Sequence, residues 1–182
     1  MRTDGEQNIL MATHNGQAIC FAETDVRPMG RDAAGVRGIR LDDGDEVVSA
    51  AVAAEGKSLL TVTENGYGKR TPVADYPEQN RGGQGVYTIQ MTERKGNLAA
   101  MKTVGPQHEL FIVTEGATVI RVKTDEISQT GRATQGVIVM RFKEEGDRVI
   151  SMALAEHEDT EDVSAEAEIS TEISANEENS TT

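Results

Sequence analysis

Three stretches of this sequence, GRDAAGVRGIRL at residues 30–41, NRGGQGVYTIQM at 80–91 and GRATQGVIVMRF at 131–142, share one pattern. Gly35, Gly85 and Gly136 occupy one slot, 50 and 51 residues apart, and a period of that size marks a repeat architecture. Working outward, ILMATHNG (9–16), LLTVTENG (59–66) and LFIVTEG (110–116) each end on a glycine, so that Gly16, Gly66 and Gly116 recur every 50 residues. Asp25, Asp75 and Asp125 keep the same interval. A loop insertion would break any of these markers, so their agreement predicts three copies of one unit, bounded at 8–57, 58–108 and 109–154.

Each unit reads as four short strands. In the first, 9–13 and 17–21 flank His14-Asn15-Gly16, where Asn-Gly supplies the positive φ that a tight hairpin demands. A loop over 22–35, rich in Asp, Pro, Gly and Arg, leads to strands at 36–41 and 47–52 around the turn Asp42-Asp43-Gly44-Asp45. The second unit repeats this order at 59–63, 66–71, 86–91 and 98–104, and the third at 110–114, 118–122, 137–142 and 149–154. No helical periodicity runs through the body. The expected fold class is all-β, built of propeller-like four-stranded blades. Three blades rarely close a ring, so a sheet edge is expected to lie open at the N-terminal side.

Charge is unevenly placed. The chain of 182 residues carries 31 acidic and 18 basic residues, a net −13, but ten of the acidic ones and none of the basic ones lie in 155–182. The first 154 residues therefore hold 21 against 18, a net of only −3, and a nearly balanced body can still carry a cationic stripe. The final segment has no aromatics and many Ser and Thr; it is expected to be disordered, serving either as a solubilising tail or as an internal mimic of a nucleic acid.

The loop between the hairpins places Arg31, Arg81 and Arg132 in one slot, each beside glycine or alanine. Two roles are open: donation to phosphate oxygens, or a structural role on loop carbonyls or the recurring aspartates. Arg27, Arg37, Lys69, Arg70, Arg121 and Lys123 lie in the same loop or on the preceding hairpin strand. Together the nine predict a basic rim for double-stranded DNA, gripped by its backbone.

These residues resemble one family closely, the C-terminal β-pinwheel domain of DNA gyrase A. The resemblance covers nearly all of 8–154 and is carried by MGRDAAGVRGIRLDDGDEVV (29–48), ENGYGKRTPVADYP (64–77), TERKGN (92–97) and GRATQGVIVMR (131–141). It implies the last three of six blades and an acidic tail, in a domain that wraps DNA so that ATP-driven strand passage introduces negative supercoils. The implied partners are the rest of gyrase A together with gyrase B in a heterotetramer, in the bacterial cytoplasm at the nucleoid. ATP and Mg belong elsewhere in that assembly, so no cofactor or metal is expected in this chain. The family's wrapping box, QRRGGKG, belongs to its first blade; QNRGGQG at 79–85 is a cousin lacking two of its cations. The tyrosine that attacks DNA lies upstream in the family, and Tyr67, Tyr76 and Tyr87 sit outside its motif, so no catalytic residue is carried over and activity of this chain alone is not expected. A topoisomerase IV pinwheel is the close alternative. A propeller-like scaffold for protein partners, with the arginines merely holding loops together, is the alternative from another class.

Other chemistry finds little support. AVAAEGKS (51–58) misses the first glycine of a phosphate-binding loop and follows a strand within a hairpin. Asp42, Asp43 and Asp45 read as a polar turn, His14, His108 and His157 lack metal-ligand spacing, and the lone Cys20 permits no disulfide framework. No run approaches the roughly 18 apolar residues of a spanning helix, and the N-terminus does not read as a secretory signal.

Overall fold

The computed structural model describes residues 1–156. The segment from 157 onward, with its expected disorder, lies outside the described residues. The body is all-β: β1 (Asn8–Thr13), β2 (Gln17–Ala22), β3 (Val47–Val52), β4 (Ser58–Thr63), β5 (Tyr67–Pro72), β6 (Val86–Tyr87), β7 (Leu98–Val104), β8 (His108–Thr114), β9 (Val119–Lys123), β10 (Val137–Ile138) and β11 (Val149–Glu156). The remaining elements are single 3-10 turns at Glu23–Asp25, Val73–Asp75, Glu93–Lys95 and Thr124–Glu126. Among the described residues no helix is long and apolar enough to cross a membrane.

The strands form three antiparallel sheets in the orders β3-β1-β2-β6, β10-β5-β4-β7 and β11-β8-β9. Here the structure corrects the reading of one blade per repeat. The outer strand of the first sheet comes from the second repeat, Val86 opposite Ala18 and Tyr87 opposite Gln17, and that of the second sheet comes from the third, Val137 opposite Gly68 and Ile138 opposite Tyr67. Each repeat hands its third strand back to the blade before it. The predicted strand at 36–41 accordingly joins no sheet and is not a strand, although Arg40 N–H donates to Gly83 C=O at 2.8 Å and Gly38 C=O accepts from Gly82 N–H at 2.7 Å; among the described residues the third sheet has three strands. Among the described residues the sheet short of a strand is the third, where β9 is the edge, while the first sheet has four.

Strand alternation explains the core. Successive side chains face opposite ways, so Leu10 and Ala12 on β1 join Ala18, Cys20, Leu59, Ile89, Leu98 and Met101 between the first two sheets, while Ile9, Ile19 and Phe21 cover the other face with Ile39. Leu60 and Val62 join Leu110, Ile112, Met140, Val149 and Met152 between the second and third sheets. Ile39, Ile89 and Met140 share one repeat slot, and each anchors its handed-back segment in a core. Cross-blade bonds repeat too: Leu98 N–H donates to His14 C=O at 2.9 Å and Val149 N–H to Glu64 C=O at 2.8 Å.

The third repeat also corrects two markers. Gly16 and Gly66 donate their N–H to Thr13 and Thr63 C=O, at 2.9 and 3.0 Å, with φ of 80° and 77°. The matching donor in the third hairpin is Ala117, to Thr114 C=O at 3.1 Å with φ 60°. Gly116 matches Asn15 instead: their N–H groups donate at 2.9 Å to the equivalent carboxylates of Asp147 and Asp45. The 3-10 turns likewise place Glu126, not Asp125, in the slot of Asp25 and Asp75. One extra residue in the turn before β7 shifts everything after it, since 11 residues separate Val36 from Val47 but 12 separate Val86 from Leu98.

Ala117 is the non-glycine residue with positive φ among those described, a conformation that is strained for a side chain bearing Cβ. A Cβ at Gly16 would lie 2.9 Å from Met91, and one at Gly66 2.5 Å from Met140 C=O, but no handed-back segment covers residue 117. Relief of the strain outweighs glycine's larger unfolded-state entropy. Ala117→Gly should therefore stabilise the chain by about 0.5–1 kcal/mol, read as a higher urea midpoint at unchanged m-value.

Candidate nucleic-acid interface

Each inter-hairpin loop is laid on the second strand of the preceding blade by backbone contacts that glycine makes possible. Gly85 and Gly136 have φ of 81° and 73°, and a Cβ on either would lie 2.5 Å from Ala18 C=O or 2.8 Å from Gly68 C=O. Isolated parallel bridges Cys20 to Glu78 and Arg70 to Gln129 extend the same contact. The loop is thus fixed before any side chain acts.

The recurring arginine then fastens it. Arg81 Nε donates to Asp25 C=O at 3.2 Å and its Nη1 to Arg37 C=O, and Arg132 Nη1 donates to Tyr87 C=O at 3.4 Å. Arg37 and Tyr87 are equivalent positions, so the two bonds are one strut repeated at successive blade junctions. A guanidinium has five N–H donors, so both arginines, half-exposed, keep donors in reserve. Arg31 stands in the same slot, but among the described residues no sheet precedes its loop, and it is exposed with no hydrogen bond or ion pair among them.

Lys69 departs from the predicted rim. It is fully buried at 0% exposure, and its Nζ donates to Gly131 C=O at 2.7 Å, Arg132 C=O at 2.6 Å and Thr134 Oγ1 at 3.2 Å. Such an ammonium cannot meet a phosphate; it holds the backbone on which Arg132 sits. Burial, with Arg132 adding to it, lowers its pKa to about 8. Arg70 is half-buried, with Nε on Ile127 C=O at 2.7 Å and Nη2 on Asp125 C=O at 3.3 Å. Arg121 pairs with the buried Glu109 carboxylate. Arg27, Arg37 and Lys123 are exposed, and their side chains make no hydrogen bond or ion pair among the described residues.

Several cations escaped the sequence reading. Arg40 and Arg141 share an exposed slot that Gln90 interrupts in the second repeat, which hid the recurrence. Arg94 and Lys95 lie 6.0 and 5.7 Å from the centre of the Tyr67 ring, and Lys95, buried, donates to Gln135 Oε1 at 2.8 Å; burial and then Arg94 lower its pKa. Tyr76 is a core residue whose hydroxyl bonds Thr88 Oγ1.

The family described as DNA gyrase C-terminal domain, beta-propeller, matches residues 7–54, 57–104 and 108–156. The chain belongs to this family. It is 46% identical over 171 residues to DNA gyrase A of Staphylococcus aureus (strain NCTC 8325 / PS 47), a match that covers 93% of the chain and 19% of that protein, and 45% identical over 162 residues to the gyrase A of strain MRSA252, covering 88% and 18%. It therefore spans about a fifth of the length of these relatives. Among solved structures it resembles the C-terminal domain of DNA topoisomerase IV, with TM-score 0.79 and 27% identity over 85% of this chain and 48% of that one. The DNA gyrase A C-terminal domain gives 0.76 and 28%, over 82% and 51%. This gyrase A C-terminal domain is thus homologous to its topoisomerase IV counterpart, and about half of either solved chain is represented here.

Proposed function

We propose that this gyrase A C-terminal chain binds duplex DNA without sequence preference and wraps it, as part of a larger polypeptide that acts with gyrase B in ATP-dependent negative supercoiling at the bacterial nucleoid. The observation that carries the reading is the strutted loop: a rigid, repeated element that keeps one arginine slot at each blade junction and leaves Arg27, Arg31, Arg37, Arg40, Lys123 and Arg141 exposed. Cations on a stiff β frame suit backbone contacts, and bending 20–30 base pairs costs of order 1–6 kcal/mol, which several such contacts together offset. The 46% identity favours gyrase over topoisomerase IV. Catalytic chemistry, ATP and Mg are assigned to the rest of the assembly.

The second reading is a scaffold for protein partners, favoured by the guanidinium donors that Arg81 and Arg132 spend on carbonyls. Titrating duplexes of unrelated sequence with the chain, with and without residues 157–182, separates the two. Wrapping expects equal affinities across sequences, weakened by Arg31→Glu and Arg37→Glu; no binding by either form supports the scaffold.

A further inference from the structure

The strut changes what the outer edge of a blade can bind. An edge strand offers N–H and C=O groups in alternation, which makes it a template for another strand. On β6, Thr88 N–H turns inward to Gly16 C=O at 2.9 Å. Opposed residues of an antiparallel ladder alternate between hydrogen-bonded and non-hydrogen-bonded pairs, so Tyr87, opposite Gln17, turns its N–H and C=O outward. Arg132 Nη1 takes that outward C=O at 3.4 Å. What remains at the edge is a set of donors: Tyr87 N–H, the Tyr87 hydroxyl and the other N–H groups of Arg132, without partners among the described residues.

We propose that these donors form a phosphate seat for the duplex backbone, an addition that rests on the DNA-binding reading, with Tyr87 as an uncharged contact beside the strut arginine. A phosphodiester oxygen only accepts. Backbone N–H, tyrosine hydroxyl and guanidinium are the donors that meet it in DNA complexes. An added peptide strand would instead need the carbonyl that Arg132 occupies.

Exposure and support both single out Tyr87. It is 65% exposed, whereas Tyr76 is in the core and Tyr67 is half-buried against Arg94 and Lys95. β6 is the fourth strand of its sheet and the loop of the following repeat already reaches it, so this exposure belongs to a junction with both of its blades in place. The backbone at Tyr87 is held from two sides, by β2 and by Arg132, so little ordering is left to offset on binding. At the preceding junction Arg81 Nη1 takes Arg37 C=O in the same way. There the slot itself carries a cation, which serves the same anion.

Isotope labelling of tyrosine in the 182-residue protein gives three backbone amide signals, from Tyr67, Tyr76 and Tyr87, and Tyr87→Phe identifies the third by its disappearance. Titration with a short duplex of mixed sequence should move the Tyr87 amide proton downfield, as an N–H that gains a charged acceptor does, and leave the buried Tyr76 in place. Tyr87→Phe should weaken duplex binding about tenfold, the loss of one hydrogen bond to a charged group. Its urea midpoint and its salt slope should stay those of the wild type, because no cation is removed. Steeply salt-dependent binding by the wild type, with a Tyr87 signal that stays put or an equal affinity for the variant, would overturn the seat and leave the wrapping reading standing. A lowered salt slope in the variant would also overturn it, since Tyr87 would then act only by positioning Arg132. Absence of duplex binding by the wild type would remove both.

Discussion

Raising the salt from 50 to 200 mM should weaken binding of duplex DNA by on the order of a thousandfold, if about six phosphates are neutralised. Arg27, Arg31, Arg37, Arg40, Lys123 and Arg141, exposed cations of the loops and hairpins whose side chains have no partner among the described residues, set this number. Each neutralised phosphate releases condensed counterions, so log K falls against log salt with a slope of about −0.9 per contact. Replacing one of the six by alanine should lower the slope by about one and weaken binding alike for all sequences. Arg81→Ala and Arg132→Ala should behave differently, because each removes an inter-blade strut before it removes a charge; their main effect should appear in the urea midpoint. A binding curve indifferent to salt would sink the wrapping proposal and leave the scaffold.

Lys69→Met should abolish a rise in stability between pH 8 and about 10.4. Burial holds the folded-state pKa at about 8, whereas an unfolded lysine titrates near 10.4. Between these values the folded chain binds fewer protons than the unfolded one, so stability increases as pH rises through the window and is level below and above it. The full gain is on the order of 3 kcal/mol, measured as the difference between wild type and variant so that other titrating groups cancel. At pH 7 the variant should also lose about 1–3 kcal/mol, because Gly131 and Arg132 C=O lose a charged donor, partly offset by removal of a buried cation. Amide exchange in the 130–135 loop should accelerate. A variant with the wild-type pH profile would show that Lys69 is not the group responsible.

Much of this fold was legible because a repeat multiplies weak local signals. The flanking apolar runs placed the hairpin strands and β3, β7 and β11, whereas the runs predicted at 86–91 and 137–142 shorten to the two-residue β6 and β10 and 36–41 is no strand. Partnership was not legible, because alternation says which way side chains face and is the same whether 86–87 pairs within its own repeat or with β2. Two markers, Gly116 and Asp125, kept an even spacing by coincidence, and only the turn hydrogen bonds of Ala117 and Thr114 revealed the shift. At the candidate interface, the loop arginines could be located but their geometry could not: Arg81 reaches two carbonyls that lie far upstream in sequence. Lys69 misled for a related reason. Its neighbours in the strand GKRT are small and polar, nothing in that run announces a buried face, and the loop that buries it arrives some 60 residues later.

The handing-back of strands makes the molecule a weave rather than a stack of beads. A blade that surrenders its outer strand and borrows its neighbour's cannot melt privately, so disorder begun at one junction is felt at the next, and strain delivered at one loop is shared along the whole row.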